Sequence, residues 1–68
     1  MQAWEVRFVD EYNTLKDRTI KLDKMLYKWE HLDFEPKCSK SILLTQLNIM
    51  KAYLAILEER ARIEEIEL

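Results

Sequence analysis

The sequence contains no glycine and only one proline, one cysteine and one histidine: Pro36, Cys38 and His31. Without glycine no residue enters positive φ cheaply. Phosphate-cradling loops, tight hairpins and left-handed helix caps are therefore not expected. A single cysteine excludes a disulfide within the chain, and with one histidine it falls short of the four ligands of a structural zinc site. The lone thiol also fits a reducing compartment. The opening MQAWEVRFVD carries Glu5, Arg7 and Asp10 and lacks the apolar core of a signal peptide. No apolar run approaches the ~18 residues of a membrane span. These absences predict a soluble, intracellular protein with no membrane association.

The 68 residues suffice for one domain spanning 1–68. A single core of this size rarely supplies more than ~3–5 kcal/mol, so small folds lean on disulfides, a metal or oligomerisation. Only oligomerisation survives the exclusions above. The formal net charge is −2. Residues 1–41 hold eight Lys/Arg and eight Asp/Glu, whereas residues 42–68 hold three Lys/Arg against five Glu and carry the whole excess. A weakly acidic chain argues against binding DNA or RNA, which asks for a basic face. It leaves room for a small anionic ligand, which needs only a few converging donors.

Apolar residues recur with helical spacing. Phe8, Tyr12, Leu15, Thr19, Leu22, Leu26 and Trp29 follow a 4-3 rhythm, widened by Trp4, Val9, Ile20 and Met25. This predicts a helix over about 2–30. Pro36 disfavours helix at Glu35 and lacks a donor of its own, so the stretch 31–38 reads as a linker. Ser39 or Ser41 can cap a second helix over about 39–66, whose glutamate-rich end should fray. No segment alternates long enough for a strand. The expected fold is all-α, an antiparallel two-helix hairpin.

The second helix carries two apolar stripes. Ile42, Ile49, Ile56 and Ile63 stand one heptad apart and, with Tyr53, span roughly −60° to +20° of the helical wheel. Leu43, Leu47, Met50, Leu54, Leu57 and Ala61 span roughly 60° to 140°. Together they cover about 200°, against the ~100° that one docking face needs. One partner helix cannot cover both, so the hairpin should assemble into a homo-oligomeric bundle.

Enzyme signatures are missing, and no cofactor is implied. No Ser–His–Asp, H-E-x-x-H or Walker pattern occurs. Glu58/Glu59 and Glu64/Glu65 read as a solvated face, His31 as a linker residue and Cys38 as a small apolar side chain near the turn. The basic residues allow two readings. Lys21, Lys24 and Lys28 share one face of the first helix, with Lys16 and Arg18 a turn earlier, and Asp17 is placed to pair with Lys21. They form either a solvated flank or a row of ammonium groups facing phosphate. Tyr12, Tyr27, Trp29 and Tyr53 could likewise stack on bases. Tyr12 and Tyr53 also lie on apolar seams, where packing explains them equally well.

The run Ser41, Leu44-Thr45, Leu47 and Tyr53 resembles the second helix of the small phage hairpin proteins that counter bacterial CBASS and Thoeris immunity, which usually carry tryptophan where this chain has Tyr53. Tyr12, Leu15 and Lys16 resemble an aromatic-x-x-aliphatic-basic pattern in that family's first helix. EYNTLKDRTIKLDKML and LNIMKAYLAILEERA also resemble short helical proteins of crAss-like phages and Firmicute prophages. The resemblance implies a homo-oligomeric sponge, acting in the cytoplasm of an infected bacterial host. It would hold a cyclic nucleotide immune messenger between protomers without cleaving it. Carried over residue by residue, it implies Tyr12 for base stacking and Lys16, Lys24 or Lys28 for phosphate, with Thr45 and Tyr53 as the second helix's contribution. The competing expectation is an oligomeric interaction module, such as an anti-CRISPR-type inhibitor or a phage adaptor, with no small-molecule ligand.

Overall fold

The computed structural model describes residues 1–68 as two long helices packed against each other. α1 spans Ala3–Tyr27 and α2 spans Lys40–Glu64, and a 3₁₀ turn at Trp29–His31 opens the connection between them. The chain is an antiparallel all-α hairpin without strands, a rod of 43 × 18 × 16 Å. No helix is long and apolar enough to cross a membrane.

Local chemistry accounts for the ends. The Glu5 carboxylate accepts the Gln2 backbone N–H at 3.1 Å, satisfying an otherwise orphaned donor at the start of α1. α1 stops three residues short of the expected position. Lys28 departs to φ −99°, ψ 23°, and the chain tightens into the 3₁₀ turn before Leu32 becomes extended. Of the two candidate caps for α2, Ser39 is the one used: its Oγ accepts the Ile42 N–H at 3.3 Å.

The C-terminus of α2 departs from expectation twice. Glu65 adopts φ 57°, ψ 40°, a left-handed cap built without glycine. The last turn is also tied down rather than splayed. The Ile66 N–H donates to the Ala61 carbonyl at 2.8 Å and the Glu65 N–H to the Arg62 carbonyl at 3.4 Å, the two bonds of a Schellman motif. Ile66 is then buried beside Phe8, Tyr12, Leu57 and Ala61. Its apolar burial offsets the strain of a glutamate at positive φ and the unfavourable glutamates near the negative pole of the helix.

The interhelical core follows the 4-3 seam of α1. Phe8, Tyr12, Thr19 and Leu26 are buried, and Thr19 satisfies its hydroxyl by donating to the Leu15 carbonyl at 2.7 Å. From α2 it is the leucine stripe that turns inward: Leu47, Leu57 and Ala61 are buried, and Leu57 is 0% exposed. The isoleucine stripe faces away. Ile42, Ile49, Ile56 and Ile63 are 59%, 64%, 58% and 63% exposed. Only eight of 68 residues are buried, and thirteen large hydrophobic residues are exposed.

Candidate functional site

Two tyrosines pin the helices together, one from each. The Tyr12 hydroxyl donates to Glu58 Oε2 at 2.6 Å, and the Tyr53 hydroxyl donates to Glu11 Oε2. The hydrogen bond to Glu58 raises the Tyr12 pKa above its ordinary 10.0, with burial and the Glu58 charge acting in the same direction. For Tyr53 the bond to Glu11 is again the main cause of a raised pKa; burial and the Glu11 charge add to it and Arg60 opposes it. Glu58 is thus more than a solvated carboxylate: it bridges to the opposite helix. Glu59 pairs with Arg62 at 2.5 Å, which lowers its pKa and raises that of Arg62.

Tyr12 is 5% exposed, and the Lys16 Nζ stands 5.8 Å from its ring centroid. The ring therefore has an ammonium group as its neighbour and little surface open to a base. Arg60 covers Phe8 in the same way, at 4.9 Å. Tyr12 and Lys16 thus lie together, but in a packed arrangement. Lys24 sits in the last turn of α1 and Lys28 just past its end, so Tyr12 and Lys28 are about 24 Å apart along the axis. Lys21 is held by Asp17 at 2.9 Å. The Thr45 hydroxyl donates to the Ser41 carbonyl at 3.0 Å on an exposed face, about 12 Å along α2 from Tyr53. One hairpin does not gather these six residues into one concavity.

Of the six, only Tyr53 lines a groove of useful chemistry. This groove of about 450 Å³ runs along α1 and is lined by Arg7, Asp10, Glu11, Thr14, Leu15 and Arg18, with Tyr53 contributed by α2. Its volume lies in the ordinary range for small-molecule sites. Arg7, Glu11, Thr14 and Arg18 are spaced 4, 3 and 4, a polar stripe beside the apolar seam. That spacing is the sequence signal for these residues. A larger concavity of about 890 Å³ lies in the connection, but Glu30, Asp33 and Glu35 outnumber Lys37 there and disfavour an anionic guest. Cys38 is exposed at its edge.

No curated protein and no solved structure matches the chain. The model of the Sequestin family, whose name denotes sequestration, matches residues 2–63, including both helices of the hairpin almost to the end of α2. The chain belongs to the Sequestin family.

Proposed function

We propose that this protein binds and sequesters a cyclic nucleotide immune messenger without cleaving it, as a phage or prophage anti-defence protein in the cytoplasm of the infected host. Membership of the Sequestin family over residues 2–63 is the observation that carries this reading. The groove beside Tyr53 supports it, because an aromatic ring, two arginines and several hydrogen-bond acceptors line it. An aromatic face stacks on any base, at about 1–3 kcal/mol per base, and cations hold phosphate without a glycine loop.

The working unit is a homo-oligomer. Four isoleucines one heptad apart, each about three-fifths exposed, form a continuous apolar stripe on α2, and a second copy can cover it with the same stripe. The contacts that the family resemblance implies, namely Tyr12, Lys16, Lys24, Lys28, Thr45 and Tyr53, are spread along one hairpin, and only assembly could bring them together from two chains. The isoleucine stripe equally favours a second reading, in which it docks a foreign protein and no nucleotide binds.

Calorimetric titration against cyclic di- and trinucleotides and ADP-ribose derivatives separates the two. The sponge reading expects saturable binding of at least one of these, at a fixed ratio per protomer, with affinity that falls as salt rises. If all of them fail to bind and a host or phage protein is captured instead, the docking reading replaces it.

A further inference from the structure

We propose that Arg7 and Arg18 are the phosphate-binding cations of this protein, and that the groove between them, rather than the lysine row, is the nucleotide site. The inference rests on the sponge reading and assigns its contacts.

The two arginines are free to act. The ion pairs of the hairpin are Lys21–Asp17 and Arg62–Glu59, and neither Arg7 nor Arg18 has a carboxylate within pairing distance or donates a hydrogen bond. Unpaired guanidinium groups beside a groove offer a planar fork of donors that matches phosphate bidentately, which an ammonium group does not. The lysines are less available: Lys21 is held by Asp17, and Lys16 rests over the Tyr12 ring. Lys24 and Lys28 do not line the groove.

Spacing and chemistry agree. Arg7 and Arg18 are eleven residues apart, three helical turns, so they fall on one stripe of α1 about 16 Å apart along the axis. They flank the groove from its two ends, so each can take a separate phosphate group of one ligand. Tyr53 enters between them, with its hydroxyl turned aside to Glu11, and is 42% exposed, so its ring offers a surface for a base. Asp10 and Glu11 balance the arginine charge within the groove. Their carboxylates accept hydrogen bonds from ribose hydroxyls or an exocyclic amine, as a carboxylate does in dinucleotide folds. Inorganic phosphate can use only the guanidinium groups, whereas a nucleotide uses all three kinds of contact. The site therefore selects nucleotides over inorganic phosphate.

The test compares Arg7→Gln, Arg18→Gln and the double variant with Lys24→Gln/Lys28→Gln, by calorimetry against the cyclic di- and trinucleotides and ADP-ribose derivatives. Circular dichroism confirms the fold of each, which the exposed, unpaired arginines should not disturb. Each arginine variant should lose about 10-fold or more in affinity and the double variant about 100-fold or more, consistent with the loss of charge-assisted contacts, while the lysine variant stays within a few-fold of wild type. The double variant should also show a shallower dependence of affinity on salt. Wild-type binding that survives in the arginine variants and fails in the lysine variant overturns this inference and leaves the sponge reading standing. Absence of wild-type binding to every nucleotide overturns both.

Discussion

Truncating the isoleucine stripe separates an assembled protein from a lone hairpin by magnitude alone. In the hairpin Ile49 is 64% exposed and Ile56 58% exposed, so only about two-fifths of each is out of water. Full burial of such a side chain is worth about 1.5–3 kcal/mol, so each contributes about 0.5–1.2 kcal/mol to a monomer. Ile49→Ala or Ile56→Ala would therefore cost a lone hairpin at most about 1 kcal/mol, partly returned by alanine's better helix propensity. In an assembly that buries the stripe, each truncation costs about 2–5 kcal/mol. A two-fold interface contains each substitution twice, so one change should weaken the dimer by at least about 4 kcal/mol, roughly a thousand-fold in its dissociation constant. Sedimentation of the wild type at micromolar concentration should give an oligomer, and its Tm should rise with concentration. Ile56→Ala should sediment as monomer or unfold, because the remaining core is small. A wild-type monomer that is well folded at micromolar concentration, with a Tm independent of concentration, would refute the reasoning.

Leu57→Ala removes the side chain that is 0% exposed and should cost about 2–5 kcal/mol, enough to unfold much of a 68-residue hairpin in a thermal melt. Tyr12→Phe should cost about 1 kcal/mol in denaturant titrations at neutral pH, since Glu58 loses its donor but can be rehydrated. The Tyr12 pKa is raised on folding, so the stability from this bond is fully present below pH 10 and is lost as pH rises through the raised value. The gap between wild type and Tyr12→Phe should therefore close in alkaline titrations, and a gap that widens there would contradict the assignment. Glu65→Gly should raise stability by about 1 kcal/mol, because glycine occupies positive φ without strain while the Ile66 tie is kept. Destabilisation by that change would show that the Glu65 side chain makes a contact of its own.

The hairpin was legible because its signals are periodic. The 4-3 seam from Phe8 to Leu26 reads directly from spacing, and Pro36 in the one aperiodic stretch marks the break. Which apolar stripe of α2 would face α1 was not legible, since both are continuous and helical spacing is blind to the choice. The left-handed cap at Glu65 was hidden because its driving force is the burial of Ile66 against residues distant in sequence, and local propensity argues the other way. Tyr12 looked like a stacking residue for the reason that makes it a core one: an aromatic on a seam with a polar end. The bond to Glu58, 46 positions away, and the burial of the ring in the core favour packing. Spacing alone groups Arg18 with the lysines and leaves Arg7 on what looks like any solvated helix face; the groove they share with Tyr53 exists only once α2 is brought alongside.

The central claim is stoichiometric capture without chemistry, and it is tested most directly by recovering the ligand. The wild-type protein is incubated with the cyclic di- and trinucleotides and ADP-ribose derivatives, weighed intact by native mass spectrometry, then denatured, and the released small molecules are chromatographed. The account predicts an oligomer whose mass increases by a whole number of nucleotides, and release of that nucleotide intact in the amount bound. No mass increase with any ligand, or release of a cleaved product in excess over protein, would contradict it.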